Sequence, residues 1–394
     1  MSKALDDVLI VDMTNAFWAS LGVALLADFG ARVVRVETSK AEREAPDDAP
    51  YDWRHELANR NKLSLSLDIE TAEGRRVLDE LIAKADVFVT DAAAPELESG
   101  RLTYAHIEPL KADIVYARGS GFGPVGPDAG LPALDELAAA HTGMMPILPQ
   151  PGQPPVYPGS GQMYSSVMLA FGVMAALRHR HETGEGQAVD VSLLAGNMYG
   201  ASLDLQAFLA IGGERFLHPV SRLDAGNPMS GTLYPTSDRR WVTLTMPDTD
   251  RWWPALAEVT GLDVSDGRFD SHEKRCEANR LELIGLLEEA FAKEPAAHWR
   301  SVFTERQMSA DVIEGYEFPA SDEGAYDNGY ILNLEHAEHG PVRMIGFPIH
   351  MSHAPATLER TAPRPGADSA AVLREVLGHG EERIAELRSA GAIA

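Results

Sequence analysis

The sequence predicts an α/β protein, with a parallel sheet and crossover helices, that carries a second and smaller α+β domain. Three observations support this. Apolar, β-branched runs at 8–13 (VLIVDM) and 32–37 (RVVRVE) flank a helical stretch at 19–29 that stops at Gly30, a strand–helix–strand unit whose strands must lie parallel. Strand and helix patterns go on alternating as far as 114–117. Beyond a run rich in Gly, Asn, Pro and Ser at 221–231, the pattern changes to a hairpin followed by helices.

At 394 residues, with 45% hydrophobic and 24% charged side chains, the chain has the balance of a globular protein large enough for two domains. Its 34 Lys and Arg stand against 59 Asp and Glu, a formal charge of −25, which argues against nucleic acid or an anionic membrane as a partner. The single cysteine, Cys276, cannot form an internal disulfide. The N-terminus lacks a basic region leading into an apolar core, and no apolar run approaches the ~20 residues that span a bilayer. A cytoplasmic protein is expected.

After the first unit, residues 40–50 read as a charged surface loop, and Leu63, Leu65 and Leu67 alternate in a strand with one buried face. An amphipathic helix at 73–84 and a strand at 85–89 follow. The strand at 114–117 leads into a turn where Gly121, Gly123 and Gly126 satisfy G-x-G-x-x-G. No helix opens there, and Pro124 and Pro127 fix a turn, so NAD is not indicated. A strand at 188–191 precedes one long apolar helix at 192–209. In the small domain, 232–235 and 241–246 form the hairpin, and helices follow at 251–261, 279–293 and 296–306. Trp241, Trp252, Trp253 and Trp299 are expected to supply its core. Strands within 340–352 rejoin the first domain, and a last helix pair follows Arg364-Pro365-Gly366. The domains are thus expected at 1–215 with 330–394, and at 225–329.

The clearest helix follows Ser160, a ready N-cap after Pro158 and Gly159, and closes at Gly184 and Gly186. Met163, Val167, Ala170, Phe171, Met174 and Leu177 recur at three- and four-residue steps, which predicts that they form its buried face. The first turn of such a helix presents free N–H groups that favour negative charge. The side chain placed there is Gln162, which carries none.

Gly161-Gln162, Ala175-Ala176-Leu177, Thr183-Gly184-Glu185-Gly186-Gln187 and Val189-Asp190-Val191 resemble, in order and spacing, the centre of the class III CoA-transferase family. That family includes carnitine- and bile-acid-type CoA-transferases, formyl-CoA transferase and α-methylacyl-CoA racemase. Leu26-Ala27-Asp28-Phe29-Gly30-Ala31, Val36-Glu37 and Ser120-Gly121-Phe122-Gly123 extend the likeness, and Asp135, Gly143 and Met144 keep family positions. The resemblance implies a ring-shaped chain forming an interlocked dimer, with a Rossmann-like large domain and acyl-CoA or CoA as substrate. It implies CoA contacts from Phe17, Asn59, Arg60, Lys62 and the position of Asp91. It places Gln162 where the family keeps its nucleophilic aspartate. Other family features are absent: Ala19-Ser20 stands for Gly-Pro, Thr38 for Arg or Pro, Asp91-Ala92-Ala93-Ala94-Pro95 for Asn-Phe-Arg-Pro-Gly, and Leu134 for the racemase histidine. An aspartate at 91 would repel phosphates.

Other chemistry has little support. The pairs His179/His181, His336/His339 and His350/His353 lack a metal-binding frame, so no metal is expected, and Gly159-Ser160-Gly161 is not a nucleophile elbow. Three readings remain open. The chain is a subunit lacking the nucleophile, paired with itself or with an Asp-bearing family member; or it is a self-sufficient CoA-transferase using another carboxylate, Asp135 or Asp190; or it is an acyl-CoA racemase or isomerase. No Asp or Glu lies between Pro146 and His181, so a shift of a residue or two in alignment supplies no carboxylate.

Overall fold

The computed structural model describes residues 3–38, 50–213, 217–224 and 226–393. The loop expected at 40–50 lies outside them apart from Pro50. The chain forms two compact units, one of Met1–Met145, Tyr157–Gly213 and Tyr326–Ala394, the other of Pro146–Val156 and Glu214–Ala325. No described helix is long and apolar enough to cross a membrane.

The first unit is built on β1 (Leu9–Met13), α1 (Phe17–Asp28), β2 (Arg32–Glu37), α2 (Trp53–Asn59), β3 (Lys62–Ser66), α3 (Ala72–Lys84), β4 (Val87–Thr90) and β5 (Val115–Ser120). It continues through α4 (Asp135–Ala140), α5 (Gly161–Thr183), β6 (Gln187–Ser192), α6 (Leu193–Gly200) and α7 (Ser202–Ile211). Six parallel strands lie in the order β3-β2-β1-β4-β5-β6. The order reverses between β1 and β4, where open parallel sheets hold ligands beyond their carboxyl ends. The strands read as apolar runs because both faces are covered. Val11, Val34, Phe88 and Tyr116 pack with α3 and the chain's last helix, Glu381–Ser389. Ile10, Val33, Val89 and Ala117 pack with α1 and α5. Local chemistry agrees with these elements: Thr71 caps α3 by accepting from Gly74 N, with Glu73 in its first turn and Lys84 in its last.

Three sequence expectations are corrected. Met163, Val167, Phe171 and Met174 are exposed, Phe171 at 74%. The face α5 buries is instead Gly161, Ser165, Ser166, Leu169, Val173 and Ala176. Small side chains win because α1 approaches closely: a Cβ on Gly22 would stand 2.8 Å from the Ser166 carbonyl oxygen. Ser160 makes no side-chain cap. The long helix at 192–209 is two helices meeting at Ala201. Two antiparallel strands, Ile331–His336 and Gly340–Ile345, complete the first unit's strands, the former unforeseen.

The second unit has a three-stranded antiparallel sheet of Ser230–Pro235, Trp241–Thr245 and Ala310–Ile313, the last too short to stand out in sequence. Helices Thr249–Thr260, Arg280–Phe291 and Ala296–Glu305 cover it. Trp253 and Trp299 lie in its core, but Trp241 is exposed on the outer face of its strand and Trp252 is only partly buried.

Candidate functional site

Asp135 begins α4, Gly161 begins α5, and Asn197 lies on α6. The Asp135 carboxylate accepts a 2.7 Å hydrogen bond from Asn197 Nδ2 on one oxygen and a 2.5 Å bond from the Tyr157 hydroxyl on the other. Asn197 Nδ2 also donates to the Leu193 carbonyl at 3.0 Å. Position 161 admits only glycine, since a Cβ there would lie 2.1 Å from Asn197 Nδ2 and 2.3 Å from Asp135 Oδ1. Gly196 is similarly confined, its missing Cβ 2.1 Å from Ser165 Oγ. Two glycines therefore draw α4, α5 and α6 together around one buried carboxylate.

Gln162 is half-buried in the first turn of α5, and its side chain hydrogen-bonds Tyr157. Burial, then the hydrogen bond and charge of Asp135, push the Tyr157 hydroxyl up to about 12, with Gln162 acting the other way. Tyr157 is therefore a donor to Asp135 and not an anion. Leu134, exposed, precedes Asp135. His141 ends α4, its ring packed on Phe122. Asp190 does not join this group. It alternates with Val189 and Val191, which face α5, and so points to the other side of the sheet, where Ser120 Oγ donates to it at 3.2 Å.

A second feature lies at the carboxyl ends of β1 to β4, a cleft of about 930 Å³ lined by Asn15, Thr38, Arg75, Thr90, Ala92 and Arg101, among others. Arg75 holds Asp79 at 2.9 Å and donates to the carbonyls of Gly100 and Arg101. Arg101 takes a left-handed φ of 53° at the rim. Neither arginine was singled out by the sequence, because no motif marks them. Their place at the strand ends appears only once the sheet is formed.

The side chains expected at the CoA phosphates lie elsewhere. Lys62 Nζ is fully buried, donating to Asp12 Oδ2, the Ser20 carbonyl and hydroxyl oxygens, and Asn59 Oδ1. Arg60 is clamped on Asp28 and on the carbonyls of Ile345 and Gly346. Asn59 is buried beside them. With their donors committed inside the unit, these three cannot reach a ligand in the cleft, and the phosphate contact expected of them is withdrawn. Phe17 is part-buried against the Trp53 ring. Asp91 is not turned toward the cleft as a repelling charge: its carboxylate accepts from the amides of Asn15 and Ala16, at the start of α1. Burial pushes Asp91 up to about 6 against those hydrogen bonds, with the charge of Asp12 adding to the rise.

A family model described as CoA-transferase family III matches residues 5–369. The cinnamoyl-CoA:phenyllactate CoA-transferase of Clostridium sporogenes is 26% identical over 96% of this chain and 95% of its own. The acetyl-CoA:oxalate CoA-transferase of Acetobacter aceti is 28% identical over 94% and 95%. The crystal structure of a CaiB/BaiF family protein from Brucella suis superposes with a TM-score of 0.83 at 23% identity, over 95% of this chain and 100% of that one.

Proposed function

This chain belongs to CoA-transferase family III, and from that premise we propose that it binds acyl-CoA as the subunit of a CoA-transferase that lacks the nucleophile. Its relatives are named for CoA transfer between acids, among them phenyllactate, 2-hydroxy-4-methylpentanoate and glutarate. In the family reaction a carboxylate attacks the thioester carbonyl, expelling the CoA thiolate and leaving a mixed anhydride. The thiolate then attacks the enzyme-side carbonyl of the anhydride, forming an enzyme–CoA thioester and releasing the first acid as its carboxylate.

The observation that carries the proposal is the pair of groups at the start of α5. Gln162 offers a carboxamide, whose nitrogen lone pair is delocalised and whose oxygen forms no anhydride. The nearby carboxylate, Asp135, is 6% exposed and accepts a hydrogen bond on each oxygen. CoA would lie over the cleft at the ends of β1 to β4, with Arg101 as its cation. The apolar stripe left exposed on α5, together with Leu203 and Leu209 on α7, supports a second chain packing there, as the interlocked dimer requires. The partner is a second copy or a family member that holds the aspartate.

The test is CoA transfer by the purified chain, alone and after addition of an aspartate-bearing family member from the same source. Transfer only in the mixture is expected; transfer by the chain alone at undiminished rate overturns the proposal. A second reading has one observation in its favour: Asp135 is a carboxylate set against the N-terminal turn of α5, where charge is stabilised. If the chain is active alone and Asp135→Asn abolishes that activity, this second reading replaces the first.

A further inference from the structure

We infer that Asn328 is a site of self-modification: with water alone it becomes aspartate and isoaspartate, and the isoaspartate form loosens the chain around Arg60. The inference does not depend on the reading of this chain as an acyl-CoA binder.

The sequence singles the residue out. Of eight asparagines, Asn328 is the one followed by glycine. Gly329 has no Cβ to shield its amide nitrogen, the atom that must reach the Asn328 side chain. Asn328 is exposed and directly follows the short helix Glu323–Asp327, which buries no residue. Gly329 ends that turn with a left-handed φ of 63° and has nothing within 4 Å of where a Cβ would stand. Its amide donates to the Tyr326 carbonyl at 2.9 Å, so the reaction waits on opening of this turn. An exposed turn without a buried side chain opens at little cost.

Once freed, the Gly329 nitrogen loses its proton to hydroxide and attacks Asn328 Cγ. A C–N bond forms, the side-chain nitrogen takes a proton from water and leaves as ammonia, and a cyclic succinimide remains. Water opens the ring at either carbonyl. One opening gives aspartate; the other gives isoaspartate, whose main chain runs through Cβ and Cγ. The net change is one water consumed and one ammonia released.

The longer backbone falls where the fold has no slack. The Gly329 carbonyl accepts from Phe347 N at 3.1 Å, and the Tyr330 carbonyl accepts from Gly346 N at 2.8 Å. A Cβ on Gly346 would lie 1.9 Å from the Gly329 oxygen, so the two segments touch. Arg60 in turn donates to the carbonyls of Ile345 and Gly346 and lies over the Phe347 ring. Isoaspartate at 328 displaces Gly329 and weakens this clamp, whereas aspartate adds only a charge beside Asp327.

The full-length chain, held for weeks at mildly alkaline pH, should gain ~1 Da at Asn328. The tryptic peptide 307–343 also carries Asn333, so fragmentation must place the change. Conversion at Asn328 should exceed that at Asn333 about tenfold. An isoaspartyl methyltransferase with labelled S-adenosylmethionine should methylate the aged wild type and not aged Asn328→Gln. The aged wild type should melt below the fresh protein, while aged Asn328→Gln and fresh Asn328→Asp keep their own midpoints near it. Equal conversion at Asn328 and Asn333 overturns the site. A modified chain that melts with the fresh one, or fresh Asn328→Asp melting as low as the aged wild type, overturns the backbone effect on Arg60.

Discussion

Lys62 Nζ lies 2.7 Å from Asp12 Oδ2, and neither side chain has any exposed surface. The register of the sheet sets this up, since β1 and β3 flank β2 with Asp12 opposite Arg35 and Arg35 opposite Ser64. Burial pulls Lys62 down to about 8 against the attraction of Asp12. Burial works against the Asp12 charge too, yet Lys62 and Arg35 hold its carboxyl below the usual range. Lys62→Ala would remove the ion-paired hydrogen bond of that buried carboxylate, leaving Arg35 and Thr14 to hold it, and should cost about 3 kcal/mol of stability. Urea unfolding measures this, and CoA affinity of the folded variant should stay within about twofold of wild type, as expected of a group that does not touch ligand.

Asp91 gives a pH dependence of definite sign. Its folded value, about 6, lies above the ordinary carboxylate value, so the folded state favours the protonated form. The stability it adds is full below about pH 4 and is lost as pH rises through about 6, on the order of 3 kcal/mol. Subtracting the stability profile of Asp91→Asn from that of the wild type should leave a slope confined to that window. A flat difference would show that Asp91 ionises at its ordinary value.

Gly161→Ala places a methyl group on Asp135 and Asn197. Overpacking of this kind should cost about 1–3 kcal/mol. The same change at Gly184, left-handed but with open space around it, should act through backbone strain alone and move no contact of Asp135. Comparing the two by thermal unfolding and by the tyrosine absorbance of Tyr157 separates the causes.

Hydroxylamine or borohydride trapping after incubation with acyl-CoA should find no adduct on the peptide containing Gln162. The tryptic peptide runs from Gly119 to Arg178 and also carries Asp135, so fragmentation must place any label: one on Asp135 would support the second reading.

Phe171, at the centre of the exposed stripe on α5, should lie in an interface that buries well over ~1,600 Å². Phe171→Glu is expected to shift the dilute chain toward monomer in light scattering. A wild-type chain that is already monomeric at micromolar concentration would remove the dimer.

The doubly wound sheet was legible because its strands are runs such as VLIVDM and RVVRVE, whose pattern reports burial on both faces. The boundaries of β2 fell where the sequence put them. Periodicity misled on α5. An apolar stripe reports which face leaves water, not whether this chain or another covers it. The site was half legible. Spacing from Ala175 to Leu177 fixed Gln162, but Tyr157 and Asn197 lie 22 and 62 residues from the carboxylate they hold. Only folding brings them together. Lys62 shows the opposite error, where a basic motif beside a strand proved to be an internal ion pair.

The closing of the sheet also has a consequence for the order in which the protein is made. Residues 369–393 follow every strand of the sheet in the sequence, yet Val372, Leu373, Ile384, Leu387 and Ile393 complete the same buried cluster as Val11 and Phe88. Asp68 N donates to the Ala392 carbonyl at 2.8 Å, and Leu67 bridges Ile393. The second unit, whose 214–325 stretch is continuous, is fully translated well before that cover arrives. During synthesis the nascent sheet therefore waits with part of one apolar face uncovered until residues 369–393 emerge. A chain cut before residue 369 would keep every residue of the candidate site and lose part of the cover over its sheet, which α3 alone would then shield.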